Sequence, residues 1–409
     1  MKSAKIAAVI LILFSFLANT AVATASEIQS PPEIAGEAGI VMDVETGRVL
    51  YEKNAHLKLE PASTTKIMTA ILALEKGDLS DIVTTGKNPT LVDGTRIYLE
   101  EGETLTLEQM LYAMMLNSAN DAAVAIAEHM AGSVESFAAM MNEKAREIGA
   151  KDTNFVNPNG LPAVGHLTTA YDLALISRYA LLNLPEFRKI VATKTAVIPW
   201  QGQEWDRQLI NLNKLLWNYE GADGIKTGYT STAGSTIVAS ATRNGRQLIA
   251  VILKSNGTTS KDCSALLDYG FNNFERKSLL KSNSVIAEKS VTYGSPVKLV
   301  TEKEFVTIVP KNDLPITKKA YIADNIDAPV KKGDILGHVI FYQGCNVLGS
   351  VNLVAANTVK RKVYTYWWFW VISPLFAAYA PYRISIGVKR YRRSRLRKAQ
   401  AISPARRYK

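Results

Sequence analysis

The order of secondary-structure signals predicts an α+β fold: helices packed on an antiparallel sheet, followed by a small all-β domain and a C-terminal membrane anchor. Three observations carry this. A hairpin signal near the amino terminus is followed by a long block of helical periodicity, and then by two strands joined at Asn244-Gly245. Past Glu275 the composition turns β-rich, with no long helical period. Near the end, Val363–Tyr382 is a 20-residue stretch without a charge.

Residues 1–25 read as a secretory signal: Lys2 and Lys5, an apolar run Ile6–Leu17, then Ala23-Thr24-Ala25 before Ser26. That run is too short to span a bilayer easily, so cleavage is expected and the mature chain works outside the cytoplasm. Gly39–Val44 and Arg48–Tyr51 flank Glu45-Thr46-Gly47 as a hairpin. Pro61–Ala70 reads as the first turns of a helix whose apolar face is Ile67, Met68, Ile71, Leu72 and Leu74, stopped by Gly77. Residues 78–103 are mixed, with turn signals at Asn88-Pro89 and Asp93-Gly94. Thr106-Leu-Glu-Gln109 is a capping box opening a helix to Leu116. Asn117–Asn120 interrupts it; Asp121–Met130 is helical again, and Val134–Ile148 follows. Residues 153–169 form a loop containing Asn157-Pro158-Asn159-Gly160, before a helix over Ala170–Leu182. Gly224–Gly228 opens an extended segment. Ser235–Thr242 and Gln247–Leu253 are strands around Asn244-Gly245, the strongest short hairpin signal. Asp262–Phe274 is an amphipathic helix. Arg276–Lys281 serves as a linker. The expected divisions are a signal peptide (1–25), a main domain (26–277), a small β-rich domain (283–356), a membrane segment (363–382) and a basic tail (383–409).

The net charge of +11 resembles a nucleic-acid signal until it is located. From Arg383 to Lys409 there are 11 Lys/Arg and no Asp/Glu, and the remaining 37 basic residues balance the 37 acidic ones. The body is neutral, so no nucleic-acid partner is expected. Cys263 and Cys345 lie far apart and make no disulfide framework, and both are expected to be free thiols. The four histidines show no metal-ligand spacing, and the chain calls for no metal or cofactor.

The candidate chemistry starts at Ser63. Residues three apart on a helix are stacked neighbours, which places Lys66 beside the Ser63 hydroxyl. A serine is a weak nucleophile until a base takes its proton, and a lysine is such a base only when burial or nearby cations lower its pKa. A helix N-terminus also aims free N–H groups at an oxyanion. The same S-x-x-K pattern recurs at Ser278–Lys281 and Ser295–Lys298, so it needs support. Ser118-Ala119-Asn120 lies at a helix break, where a hydroxyl and an amide can face a cleft; the plain alternative is interhelical capping. Lys226-Thr227-Gly228 occurs once, on an expected strand; the plain alternative is an edge lysine before a glycine bulge.

Together the three match, in order, spacing and element type, the set S-x-x-K, S-D-N and K-T-G, with Ala119 departing in the second. The stretches Thr153-Asn-Phe-Val-Asn-Pro-Asn-Gly-Leu-Pro162, Thr168-Thr-Ala-Tyr-Asp-Leu-Ala174, Asn213-Lys-Leu-Leu216 and Asp223–Thr230 add to the likeness. The chain resembles the low-molecular-mass penicillin-binding proteins that are serine-type D-Ala-D-Ala carboxypeptidases, well over residues 33–275 and loosely over 285–355. The resemblance implies a penicillin-binding/β-lactamase-like fold and removal of the terminal D-alanine from peptidoglycan stem pentapeptides. It implies β-lactams as inhibitors and a place on the outer face of the bacterial cell membrane. It also implies roles. Ser63 attacks and carries the acyl group; Lys66 takes its proton. Ser118 relays a proton to the leaving amine, supported by Lys226, and Asn120 holds the substrate amide. Thr227 and Thr230 bind the terminal carboxylate. The N–H groups of Ser63 and Tyr229, flanking Gly228, form the oxyanion hole. Some members meet the carboxylate with an arginine where Lys254 and Ser255 stand here.

A β-lactamase shares these motifs, but none of the glutamates from Glu128 to Glu220 has the asparagine four residues on that its deacylating pair requires. Endopeptidase and transpeptidase activities stay open. An idle wall-binding scaffold predicts a lost motif member, and every member is present. At the C-terminus, twenty apolar residues reach about 30 Å, one hydrocarbon core. Tyr364, Tyr366, Trp367, Trp368 and Trp370 mark one interface, and Tyr379 and Tyr382 the other. A spanning segment puts the basic tail inside. Ser373-Pro374 and Pro381 favour the alternative, a segment broken into an in-plane anchor.

Overall fold

The computed structural model describes residues 30–311 and 315–401. The expected signal peptide (1–25) and residues 402–409 of the tail lie outside the described residues. The chain divides into two compact units: Met1–Lys277 with Ile308–Asp313, and Ser278–Thr307 with Leu314–Lys409.

The first unit is built on β1 (Ala38–Asp43), β2 (Val49–Lys53), β3 (Ala222–Thr230), β4 (Gly234–Arg243) and β5 (Arg246–Ser255). They form one sheet in the order β2-β1-β5-β4-β3, every neighbour antiparallel. Asn244 (φ 51) and Gly245 (φ 76) both adopt the left-handed conformation that a two-residue hairpin turn requires. Side chains alternate across the sheet. Ile249, Val251 and Leu253 enter one apolar cluster, while Leu248, Ala250 and Ile252 enter the other. Both faces are covered, which is why this strand reads as an unbroken apolar run.

The first face carries α1 (Lys66–Lys76), α2 (Leu107–Leu116), α3 (Asn120–Ala131), α4 (Val134–Ile148), α5 (Ala170–Asn183) and α6 (Pro185–Ala192). The second is covered by α7 (Thr259–Asn273) through Cys263, Leu266 and Leu267. The capping box before α2 is formed: Gln109 N donates to Thr106 Oγ1 (3.2 Å) and Thr106 N donates to Gln109 Oε1 (2.9 Å). Two local expectations change. Ser63 lies in a 3-10 turn, Ala62–Thr65, that runs into α1 rather than in the α-helix itself. The expected linker 276–281 is mostly strand, Phe274–Leu280, paired with Phe305–Pro310.

The second unit holds β6 (Val285–Lys289), β7 (Val297–Thr301), β8 (Ile316–Ile322), β9 (Ile335–Gln343) and β10 (Asn346–Ala355) in an antiparallel sheet, order β6-β7-β10-β9-β8. Its core gathers Leu299, Phe341 and Leu353, with Phe305 stacked on Phe341 at 4.5 Å. It ends in α8 (Trp367–Ala401), which runs through Pro374 and Pro381 instead of breaking there. Arg361 lies between the rings of Tyr293 and Tyr366, 4.5 and 4.6 Å from their centroids, and donates to Thr365 O (3.0 Å). By length and composition, α8 is the one helix among the described residues able to cross a membrane. Cys263 is buried, Cys345 is exposed, and both are free thiols.

Candidate active site

The turn at Ala62–Thr65 begins with Ala62 in the left-handed region (φ 49) and leaves Ser63 half-buried. Lys66, the first residue of α1, is 0% exposed. Its Nζ lies 2.9 Å from Ser63 Oγ, 2.7 Å from Asn120 Oδ1 and 2.7 Å from Asn159 O. Burial holds the amine well below its ordinary range, and the Lys226 charge adds to that; Asp121 acts the other way. A neutral amine has two N–H donors and one lone pair. In that form the two carbonyl oxygens can take both donors, which leaves the lone pair for the Ser63 hydroxyl. That is the arrangement of a general base.

Asn120 opens α3 and is tied down on three sides. Besides accepting from Lys66, it donates from its backbone N to Thr95 O (2.7 Å) and from Nδ2 to Asp93 O (2.7 Å). One amide N–H is left over for a ligand. Asp121 beside it accepts from Ile97 N (3.0 Å) and Leu99 N (3.1 Å), fixing the segment that runs past Asn120. Burial pushes the Asp121 carboxyl up, while those N–H bonds hold it back. Ser118 is buried in the α2–α3 break with a left-handed backbone (φ 62). Its hydroxyl makes no hydrogen bond among the described residues, so the implied contact with Lys226 is not formed.

Strand β3 brings the third motif alongside. Lys226 is 2% exposed, donates to Thr227 O (3.0 Å) and is pushed down to about 7 by burial. Gly228 is needed for close approach: a Cβ there would stand 2.7 Å from Ser63 N and 2.5 Å from Thr236 Oγ1. Thr227 is half-buried and Tyr229 is exposed. Thr230 Oγ1 accepts from Ala233 N (2.9 Å) and lies 3.3 Å from Thr232 Oγ1, whose own proton goes to the Glu60 carboxylate. Lys254 is held by Glu37 (2.8 Å). Ser278 and Val297–Lys298 of the two recurrent S-x-x-K matches lie on strands, where residues three apart do not stack. Among the described residues no group of three or more His, Cys, Asp or Glu could hold a metal.

The loop before α5 supplies groups that motif reading did not single out. Asn159 contributes only its carbonyl, which no side-chain pattern can reveal. Gly160 (φ 85) lies against the nucleophile turn so tightly that a Cβ would fall 1.8 Å from Ala62 O. The Asn-Gly pair was the available signal. Thr69 Oγ1 donates to Pro158 O (2.6 Å). His166, buried, accepts from Val156 N at Nδ1 (2.9 Å) and so donates from Nε2 to Thr65 Oγ1 (2.9 Å). Burial lowers its pKa to about 4, keeping it neutral.

A serine beside an amine that burial pushes toward its neutral form, with a second buried lysine and a backbone slot at Ser63 N, is equipped for acyl transfer. The comparisons with known proteins agree. The D-alanyl-D-alanine carboxypeptidase family profile matches residues 25–257, and that of the penicillin-binding protein 5 C-terminal domain matches 274–361. D-alanyl-D-alanine carboxypeptidase DacF of Bacillus subtilis is 36% identical over 346 residues, covering 80% of this chain and 87% of that one. DacD of Escherichia coli is 33% identical over 377 residues, covering 88% and 96%. Among solved structures, penicillin binding protein 5 of Haemophilus influenzae aligns with TM-score 0.73 at 31% identity, over 81% of this chain and 99% of that one.

Proposed function

Because the chain belongs to the D-alanyl-D-alanine carboxypeptidase family, serine peptidases of the low-molecular-mass penicillin-binding group, we propose that it releases the terminal D-alanine of peptidoglycan stem pentapeptides through an acyl-enzyme on Ser63. D-Ala-D-Ala carboxypeptidase activity and β-lactam binding come with the family.

In the proposed mechanism Ser63 Oγ attacks the carbonyl carbon of the penultimate D-alanine while Lys66 Nζ takes its proton. The oxyanion is met by Ser63 N and Tyr229 N, and such preorganised donors supply the largest share of acyl-transfer catalysis. The proton reaches the leaving amine through Ser118, whose unengaged hydroxyl is available for it, with Lys226 in support. The bond to D-alanine breaks, water attacks the ester, and Ser63 regains its proton. The spare N–H of Asn120 holds the substrate amide. Thr227, the Thr230 hydroxyl turned from Thr232 and protonated Lys226 receive the terminal carboxylate across the Gly228 slot. The observation that carries the proposal is the environment of Lys66: a buried amine whose Nζ lies 2.7 Å from Asn120 Oδ1, 2.7 Å from Asn159 O and 2.9 Å from Ser63 Oγ.

On the same proposal the catalytic unit faces the cell wall, held by α8. With about 1.5 Å per residue the helix is about 52 Å long, more than one hydrocarbon core, so its basic end protrudes on the cytoplasmic side. The functional test is D-alanine release from a muramyl-type pentapeptide. Release by the wild type and its loss in Ser63→Ala are expected. Penicillin hydrolysis without D-alanine release would point to a β-lactamase instead.

A further inference from the structure

Three residues before the nucleophile, Glu60 is tied to the end of the strand that carries the third motif. Thr236 Oγ1, on β4, donates to Pro61 O (3.0 Å), and a Cβ on Gly228 of β3 would stand 2.7 Å from Ser63 N and 3.1 Å from Ala62 Cβ. The turn joining these strands, across which Thr230 and Gly234 pair, therefore lies beside residues 60–63. From that turn the exposed Thr232 donates its hydroxyl proton to Glu60 Oε2. Glu60 is half-buried and is partnered by a hydroxyl rather than by a cation; Lys254, on β5, is taken by Glu37 (2.8 Å).

The direction of the protons follows. A carboxylate only accepts, and a hydroxyl has a single proton. Thr232 gives its proton to Glu60, so in the 3.3 Å contact between Thr230 Oγ1 and Thr232 Oγ1 the donor is Thr230. Ala233 N donates to Thr230 Oγ1 (2.9 Å) and holds that oxygen in place. The Thr230 proton has to turn from Thr232 before it can meet a substrate carboxylate. An arriving carboxylate then faces the Glu60 charge just beyond Thr232, and like charges in a partly solvated cleft repel.

We propose that Glu60 is a specificity-determining residue that weakens the hold of the Thr227, Thr230 and Lys226 cradle on the terminal carboxylate. This rests on the acyl-transfer site proposed above, in which that cradle receives the carboxylate. Glu60 touches no reacting atom; it acts through its charge and through Thr232.

The test uses the full-length protein and two penicillins, one with its carboxylate free and one with that carboxylate as the methyl ester. The second-order rate constant for acylation of Ser63 is read by intact mass, and the ratio of the two is taken within each protein, which cancels any change common to both. Glu60→Gln keeps the length of the side chain and an acceptor for Thr232 while removing the charge. Its ratio of free acid to ester should exceed the wild-type ratio about 2–10-fold at low salt. The excess should shrink at 1 M salt, where the screening length is about 3 Å. A residue that only pins the turn would give neither result. A ratio unchanged or lowered in Glu60→Gln, or a rise that salt leaves untouched, overturns the proposal. D-alanine release from a pentapeptide is scored separately. A raised ratio in a protein that releases no D-alanine would overturn the carboxypeptidase mechanism and leave the Glu60 assignment standing.

Discussion

At the scale of single residues, two buried lysines whose amines are both held below their ordinary range let one cleft activate a hydroxyl and attract an anion. Lys66 must be neutral to act, and its burial together with the Lys226 charge favours that state. Lys226 is charged below about 7 and neutral above. The expected kcat/KM profile is therefore a bell. It falls toward acid as Lys66 gains a proton and loses its lone pair. It falls above about 7 as Lys226 loses the charge that meets the substrate carboxylate. Lys226→Arg, charged at every accessible pH, should move the alkaline limb outward. An unmoved limb would exclude Lys226 as its source. Replacing Lys66 by Ala removes the base and leaves Asn120 Oδ1 and Asn159 O without their donor. Acylation by a fluorescent penicillin should slow about 10²–10⁴-fold, as stopped-flow fluorescence can measure. His166 gives a stability prediction with a definite sign. Its folded pKa is about 4 against the ordinary 6.5, so between those values the unfolded chain binds the proton and the folded chain does not. Stability from this group is complete above 6.5 and is lost as pH falls toward 4. Thermal melts of wild type and His166→Phe over that window should show a shallower acid slope in the variant.

At the scale of elements, the site is the meeting of a 3-10 turn, a helix break, a strand and a loop, each brought close by a glycine or a left-handed residue. A methyl at Gly228 would press on Ser63 N, so Gly228→Ala should slow acylation more than it lowers the melting temperature. At Gly160 a methyl collides with the Ala62 backbone in a conformation that glycine favours. Gly160→Ala should lower both stability and acylation; an unchanged melting curve would contradict the tight approach. The three motifs were legible in the sequence because the side chains themselves do the work at Ser63, Lys66, Asn120 and Lys226. The carbonyl of Asn159 was not, since a backbone acceptor has no residue signature. The shift from α-helix to 3-10 turn at Ser63 escaped for a related reason: both place residues three apart together, so the pattern cannot tell them apart. The 276–281 segment, read as a linker, pairs as a strand because its partner Phe305–Pro310 lies far along the chain. In α8 the prolines at 374 and 381 weighed toward a break, yet the helix continues through both. A helix that spans should protect a C-terminal epitope from protease added to intact protoplasts. Removal of the epitope with the membrane sealed would favour an in-plane anchor.

At the scale of the whole molecule, the groups assigned to the chemistry all lie between Glu60 and Thr236, within the first unit. The segment Ile308–Asp313 also belongs to that unit, and Ile308 is packed in its second apolar cluster. A chain truncated after Leu280 should keep its kcat/KM on a soluble peptide but lose about 1.5–3 kcal/mol of stability, the worth of one buried large aliphatic side chain. Loss of activity in a truncated chain that is still folded would give the second unit a part in the chemistry. The balance of 37 basic and 37 acidic residues in the body is why no nucleic-acid partner is expected. The order hairpin, helices, strands already implied helices on an antiparallel sheet. What the sequence could not convey was that α7 closes the other face, because covering both sides depends on contacts between distant segments. The central claim is that Ser63, activated by Lys66, is the residue that becomes acylated. Intact-mass measurement after penicillin treatment, followed by peptide mapping, tests it directly. One adduct per chain on the peptide containing Ser63, absent in Ser63→Ala, is the predicted result. An adduct on Ser278 or Ser295, or none at all, would contradict it.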